Sequence, residues 1–301
     1  MSEFASSGGT LAYTEAGEGK PVLLLHGFPT SSYLWRTLAP LLAQRYRTIV
    51  PDLLGYGDSA KPEAAELHIR AQARYAGELL DELGVQGELA VVGHDIGGGV
   101  AQLLALEGRA THLVLIDSIS FDSWPIEGVR MIQEADDASV DAEFAENLVS
   151  VAIELGIGKP ERATSEVVSA YVAPFVREGG PEALLRAARG IDGEGLVGTE
   201  ARLAELGERI LVLWGEDDPY QDQEWALKLS EIVPGSTVGI LPGCSHFLLE
   251  DAPETVGPLI YEWLRVRYLR EPHHHAGVTT PVQVSLTRPP PPPDDAYLED
   301  G

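Results

Sequence analysis

Short apolar runs that do not alternate with polar residues recur along the chain, and they constrain its fold more than any other feature. Such runs are typical of strands buried on both faces, as in a parallel sheet covered by helices. Segments with helical periodicity separate the runs, and this alternation predicts a doubly wound, mostly parallel α/β sheet. The predicted strands are Pro21–Leu25, Thr48–Asp52, Leu89–Gly93, Leu113–Asp117, Ile210–Trp214 and Thr237–Leu241. The predicted helices between and after them are Ser32–Ala43, Ile69–Leu83, Gly98–Glu107, Gln223–Ile232 and Glu254–Tyr268.

The segment after the fourth run contains helical patterns and no convincing strand. We therefore predict a helical cap over residues 119–206, inserted into a core made of residues 1–118 and 207–270. Ligands of open α/β sheets bind beyond the carboxyl ends of the strands, so the cap is expected to cover the site. Residues 271–301, which include His273–His275 and Pro289–Pro293, lack a periodic apolar face and predict a disordered, Pro-rich acidic tail.

The charge balance and the cysteine content exclude several classes of function. Lys and Arg number 21 against 47 Asp and Glu, so the formal net charge is -26, which repels nucleic acid and anionic lipid. The single cysteine, Cys244, permits neither an intrachain disulfide nor a cysteine-rich metal site. The first residues lack the basic start and apolar run of a secretion signal. We expect a cytoplasmic protein whose partners are a small-molecule substrate and water, and the sequence leaves homo-oligomerisation open.

The most informative motif follows the run Leu89–Gly93. It reads Gly-x-Asp-x-Gly, with Asp95 in the middle, between a predicted strand and a predicted helix. This is the nucleophile elbow Gly-x-Ser-x-Gly with aspartate in place of serine. Its glycines permit a sharp turn that presents Asp95 beyond the sheet edge, next to a helix N-terminus. Asp95 is therefore the candidate nucleophile.

Other stretches supply partners for Asp95. Phe28, after an earlier strand, and Ile96, directly after Asp95, offer backbone N–H groups for an oxyanion hole. Asp218, in the stretch WGEDDP, places a carboxylate past the strand Ile210–Trp214. His246, in the stretch GCSHF, follows the last predicted strand. The order nucleophile, acid, histidine, each past a strand end, points to a catalytic triad.

Over roughly residues 10–268 the chain resembles the α/β-hydrolase fold superfamily, and within it the aspartate-nucleophile branch of epoxide hydrolases and haloalkane dehalogenases. The likeness rests on the stretches HGFPTSSYLWR, PDLLGYGDS and GHDIGG. The resemblance implies an α/β-hydrolase fold with the cap inserted after the sixth strand, Asp95, Asp218 and His246 as catalytic residues, and no cofactor or metal. Asp117 is the alternative acid, because some dehalogenase-like relatives keep the acid there; the Trp-Gly-x-x-Asp pattern favours Asp218.

The residue type at position 95 selects the chemistry. A carboxylate with an ordinary pKa near 3.9 is ionised at neutral pH and can attack carbon without a base, unlike a serine hydroxyl. Attack on an epoxide carbon, or on a carbon bearing a leaving group, gives an alkyl–enzyme ester that water activated by His246 can hydrolyse. Attack on an ordinary ester would give a high-energy mixed anhydride. Asp95 therefore favours epoxides or alkyl halides over routine esters.

The leaving-group residues decide between these substrates. The resemblance implies a pair of cap tyrosines for epoxides, and the predicted cap contains Tyr171, with Tyr220 as a further candidate. It implies N–H donors for a halide, and Trp124 is the candidate in the cap. Ile96 stands where dehalogenases typically carry tryptophan, and Phe28 where many carry asparagine.

We predict a hydrolase of small neutral electrophiles that converts epoxides to diols, with haloalkane dehalogenation as the first alternative. An esterase or lactonase that uses Asp95 as a base is a second alternative. A non-catalytic receptor or scaffold on the same fold is a third, although such a protein has no need for Asp218 and His246.

Overall fold

The computed structural model describes residues 1–271 and 285–287. In that part of the chain, nine strands form one sheet in the order β1-β2-β4-β3-β5-β6-β7-β8-β9. The pairs from β4 through β3, β5, β6 and β7 to β8 are parallel, and β1, β2 and β9 pair antiparallel at the edges. The strands are β1 (Ser2–Ala5), β2 (Thr10–Ala16), β3 (Pro21–Leu25), β4 (Arg47–Pro51), β5 (Ala90–His94), β6 (His112–Ile116), β7 (Ile210–Gly215), β8 (Thr237–Leu241) and β9 (Ser285–Thr287).

The helices flank this sheet and fill the long segment between β6 and β7. They are α1 (Leu38–Leu42), α2 (Ile69–Glu82), α3 (Ile96–Leu106), α4 (Glu127–Gln133), α5 (Ala142–Gly156), α6 (Ser165–Val176), α7 (Gly180–Arg189), α8 (Glu200–Ala204), α9 (Glu224–Ile232), α10 (Leu248–Asp251) and α11 (Pro253–Arg267). Short 3-10 helices cover Ser32–Trp35, Asp137–Ser139, Pro160–Arg162 and Gly207–Arg209.

The doubly wound, mostly parallel sheet is confirmed, and its central strands are buried on both faces. Every residue of β5, β6 and β7 is buried, which explains why these runs carry apolar residues without alternation. β1 and β2 were not predicted from the sequence. β1 buries no residue and β2 buries only Leu11 and Ala12, which is too few for an apolar run. With these two strands counted, the helical segment follows the sixth strand, as the resemblance implied.

The predicted helix Ser32–Ala43 is instead two elements, a 3-10 helix and α1. Pro40 explains the break, because it lacks an N–H group and its ring would clash inside a continuous helix. In the structure Pro40 lies in the first turn of α1, where the missing donor costs nothing.

The division of the chain into core, cap and tail remains a prediction. α4 to α8 lie in the segment for which the sequence predicts helices alone, but the division into core and cap is not tested by this arrangement. Of the predicted tail 271–301, Glu271 and β9 are described, and β9 pairs with β8. The other residues of the tail, including His273–His275, lie outside the described residues. In the described part of the chain, no helix combines the length and apolar character that crossing a membrane requires.

Candidate active site

Asp95 lies at the junction of β5 and α3, in the sharp turn that the glycine pattern predicts. Its backbone has φ 50° and ψ -121°, a conformation that is strained for a residue with a side chain. The turn fits only without Cβ atoms around it: a Cβ on Gly97 would lie 2.2 Å from the carbonyl oxygen of Leu25, and one on Gly93 2.4 Å from that of Gly97. The strand, turn and helix of a nucleophile elbow are therefore present at Asp95.

Backbone amides hold the Asp95 carboxylate. The Phe28 N–H donates to its Oδ2 at 2.8 Å, and the Ile96 N–H donates to the same carboxylate. Burial raises the pKa of Asp95, while the attraction of His246 and these two hydrogen bonds oppose that shift. The predicted oxyanion-hole donors thus both point at the carboxylate.

His246 and Asp218 form the second half of the site. The Nδ1 atom of His246 lies 2.9 Å from Oδ2 of Asp218, and both side chains are buried. Burial alone would lower the pKa of His246, but the charge and hydrogen bond of Asp218, with Asp95 adding to them, raise it above its ordinary value. This contact orients the imidazole and leaves Nε2 to act on water.

Two other buried histidines hold these elements in place. His94 donates from Nε2 to the backbone carbonyl of His246 at 3.0 Å, and the two rings meet edge to face. His26 accepts from the Leu53 N–H at 3.0 Å and donates to the Gly27 carbonyl at 3.0 Å, which fixes the loop that carries the Phe28 amide. Both are positioning residues, and in the sequence His26 is marked only by its place at the end of a predicted strand.

Asp218 contacts His246, and Asp117 does not. Asp117 lies after β6 with φ 43°, and its Oδ1 accepts from the Gly215 N–H at 2.8 Å. Asp218 receives two more hydrogen bonds on Oδ1, from the N–H groups of Tyr220 and Gln221. The geometry thus supports the choice of Asp218 as the acid. Asp117 is next to Asp218 but is not in contact with His246.

A cavity of about 530 Å³ leads to these groups, and Phe28, Asp95, Ile96 and His246 line it. α4 and α5 supply about half of the apolar residues in its wall. Val151 and Leu155 line the cavity and are still more than half exposed, so they mark its opening to solvent. Apolar residues that line it include Ile119, Val129, Ile132, Phe144, Leu148 and Leu155. α4 was not predicted from the sequence, because it is short and buries no residue.

Trp124 and Tyr220, two of the predicted leaving-group candidates, both line the cavity. The indole N–H of Trp124 is buried and has no hydrogen-bond acceptor among the described residues. The Tyr220 hydroxyl donates to the Ala152 carbonyl at 2.8 Å, and its ring meets His246 edge to face. Burial raises the pKa of Tyr220 to about 12, so the hydroxyl keeps its proton at neutral pH. Gln221, which the sequence did not single out, also lines the cavity, with a buried Oε1 that accepts no hydrogen bond from the described residues.

Tyr171, the other leaving-group candidate, is not among the residues that line this cavity. Its hydroxyl donates to Oε1 of Glu250 at 2.5 Å, and Arg36 donates to both carboxylate oxygens of Glu250 at 2.6 Å. The ring packs against Tyr33 and Phe247 and is 1% exposed. Tyr171 instead ties α6 to the segment that follows His246. The sequence could not show this, because the Glu250 that captures the hydroxyl is 79 residues away.

Metal binding finds no support in the described part of the chain, where no three His, Cys, Asp or Glu side chains are grouped to hold an ion. The site consists of a carboxylate, an imidazole–carboxylate pair, two amide donors and an apolar cavity. Such a set is suited to nucleophilic attack followed by hydrolysis.

Comparison with known proteins decides the family. A model of the alpha/beta hydrolase family matches residues 22–258. The chain belongs to the alpha/beta hydrolase family. It is 29% identical to haloalkane dehalogenase 2 of Mycobacterium tuberculosis over 274 residues, which cover 86% of this chain and 93% of that protein. It is 30% identical to soluble epoxide hydrolase of Corynebacterium sp. strain C12 over 266 residues, 83% of this chain and 92% of that one.

Among solved structures, haloalkane dehalogenase DbeA from Bradyrhizobium elkani USDA94 superposes with a TM-score of 0.78 at 28% identity, over 90% of this chain and 99% of that chain. The fold and the family are those that the sequence motifs indicated. The protein is an alpha/beta hydrolase enzyme of the type that the dehalogenase and epoxide hydrolase relatives represent.

Proposed function

We propose that the protein hydrolyses small neutral epoxides to diols through an alkyl–enzyme ester on Asp95. The observation that carries this proposal is the Asp95 carboxylate held by the Phe28 and Ile96 amides in an apolar cavity that His246 also lines. The amides hold one face of the carboxylate in place before the reaction, as a nucleophile requires. The apolar wall and the fixed negative charge favour a neutral substrate over an anionic one.

In the first step an Asp95 oxygen bonds to an epoxide carbon and the carbon–oxygen bond of the ring breaks. The electron pair goes to the epoxide oxygen, which needs a proton. We assign this proton to Tyr220, which lines the cavity and whose hydroxyl, with a pKa of about 12, is protonated and more acidic than water. The hydroxyl would turn from the Ala152 carbonyl to the epoxide oxygen. The product of this step is a hydroxyalkyl ester of Asp95 and a tyrosinate.

In the second step His246 takes a proton from water through Nε2, and the hydroxide adds to the ester carbonyl. Negative charge then develops on the carboxyl oxygen that faces the Phe28 and Ile96 amides, which stabilise it. Asp218 stabilises the imidazolium. Collapse of the adduct returns that proton to the departing diol oxygen, and the second proton of the water restores Tyr220.

Haloalkane hydrolysis is the second candidate, and it is favoured by the Trp124 N–H, which has no hydrogen-bond acceptor among the described residues. An indole N–H can stabilise a departing halide by a hydrogen bond, but it cannot supply a proton to an alkoxide. We place epoxides first because ring opening with proton transfer releases no anion. A halide would have to leave through an apolar cavity, where an anion is poorly solvated.

The trapping experiment uses His246→Gln. This variant keeps the nucleophile but removes the base, so styrene oxide or a brominated alkane should alkylate Asp95 and stop there. Intact-mass spectrometry should show one added substrate mass for the epoxide, and peptide mapping should place it on Asp95.

Asp95→Asn is the matched control, because it preserves shape and removes the anion; it should show no adduct. An unmodified His246→Gln protein that still forms diol would contradict the proposal. Adducts with the brominated alkane and none with the epoxide would reverse the order of the two substrate classes.

A further inference from the structure

Asp117 is a buried carboxyl group that the proposed mechanism leaves without a task. Its side chain has no exposure, and its backbone lies in the left-handed region with φ 43°. Oδ1 accepts from the Gly215 N–H at 2.8 Å, but Oδ2 is buried and receives no hydrogen bond from the described residues. An ionised carboxylate in such a position would leave one charged oxygen without a donor, at a large desolvation cost.

The groups around Asp117 make a second negative charge still less favourable. Its carboxyl is in hydrogen-bond contact with the carboxyl of Asp218, and it also interacts with Asp251 and the Cys244 thiol. All three neighbours are acids. Burial, followed by the charge of Asp218, raises the pKa of Asp117 well above its ordinary value. A second negative charge in contact with the Asp218 carboxylate would be repelled without solvent to screen it.

We propose that Asp117 is a protonated positioning residue, whose Oδ2–H donates a hydrogen bond to Asp218 and fixes the acid of the triad. Asp218 then has donors on every side: His246 Nδ1 on Oδ2, the amides of Tyr220 and Gln221 on Oδ1, and the carboxyl of Asp117. The carboxylate cannot rotate away from His246 without losing one of them.

The protonation state of Asp117 does not depend on the proposed function, whereas the predicted effect of Asp117 on turnover rests on the proposed epoxide hydrolysis. The first test is therefore made without substrate. In protein labelled with carbon-13 at the aspartate carboxyls, the Asp117 signal, identified by its absence in Asp117→Asn, should stay at the position of a protonated acid from pH 5 to pH 8. A signal at the position of a carboxylate at pH 7 would overturn the proposal.

The thermal stability of Asp117→Asn is a second readout. Its change in Tm should be positive if Asp117 is protonated and negative if Asp117 is ionised. A carboxyl whose pKa is raised on folding costs stability once the pH exceeds its unfolded pKa of about 3.9. Asp117→Asn removes that cost and retains an N–H donor toward Asp218, so its Tm should exceed that of the native protein, by more at pH 8 than at pH 5. A lower Tm for this variant at pH 7 would indicate that Asp117 is an ionised, stabilised carboxylate.

The third readout is rescue of turnover. Asp117→Ala removes the donor and should lower kcat about tenfold, as expected for a hydrogen bond to a charged acceptor, while Asp117→Asn should restore most of the loss. The acidic limb of the pH profile should not move in Asp117→Asn, because no charge is removed. A limb displaced to lower pH would show that a negative charge had been lost, and would contradict the proposal. If epoxides fail as substrates, the first two readouts still decide the state of Asp117.

Discussion

Replacing Tyr171 by phenylalanine tests whether this tyrosine has a structural or a catalytic role. The substitution removes the hydroxyl that donates to Glu250 at 2.5 Å and leaves the two hydrogen bonds from Arg36 in place. Because the lost hydrogen bond is buried and has a charged acceptor, the free energy of unfolding should fall by about 2 kcal/mol. For a chain of this size that corresponds to a Tm lower by roughly 4 °C. Epoxide turnover should remain close to the native value, since Tyr171 does not line the cavity.

The matched control is Tyr220→Phe, which removes the hydroxyl of a residue that lines the cavity; that hydroxyl donates to a neutral carbonyl. We expect diol formation from styrene oxide to fall by a factor on the order of 100, with a loss of stability of only about 1 kcal/mol. Both variants are assayed by diol formation and by thermal unfolding. A Tyr171→Phe variant with native Tm and a tenfold slower reaction would refute the assignment of Tyr171 to the Glu250 network.

Four further outcomes follow from the same geometry. The pKa of His246 is raised above 6.5, and His246 must be neutral to activate water, so kcat should rise with pH through the neutral range where ester hydrolysis limits the rate. Asp218→Asn should lower kcat by a factor on the order of 1,000–10,000, and its acidic limb should move to lower pH, because burial then lowers the pKa of His246 without the opposing charge. Gly97→Ala should destabilise the protein by about 3 kcal/mol in chemical denaturation, since its Cβ would lie 2.2 Å from a backbone oxygen, whereas Gly77→Ala, with only ordinary contacts, should be neutral or stabilising. Trp124→Phe should slow bromide release from a brominated alkane, measured by halide detection, and leave diol formation from an epoxide unchanged.

The local sequence pattern was enough to predict the strands and the turn that carry the candidate catalytic residues. The strand runs before Asp95 and Asp218 are apolar because β5 and β7 are buried on both faces, and β8, before His246, is buried at three of its five residues. Parallel strands bring their carboxyl ends to one edge. The glycines at 93 and 97 predict the sharp turn because no larger residue fits there. The fold could therefore be predicted from these patterns, and the same patterns predicted that Asp95, Asp218 and His246 lie at one edge of the sheet.

Contacts between distant segments were not predictable in the same way. Tyr171 carried the residue type expected of a proton donor, but its hydroxyl is taken by Glu250 on another element. Tyr220 lies in the cavity because the turn after β7 is fixed by two amide hydrogen bonds to Asp218, a detail that no periodicity encodes. The choice between Asp117 and Asp218 likewise depends on which carboxyl reaches His246.

One turnover in heavy-oxygen water tests the covalent step most directly. With enzyme in excess over styrene oxide, the oxygen transferred to the diol should come from the Asp95 side chain, and the replacement oxygen from water should appear in the peptide that contains Asp95. Mass spectrometry of the digested protein measures that label. Diol formed with the heavy isotope in the product and none in Asp95 would mean that water attacks the substrate directly, and the ester mechanism would be wrong.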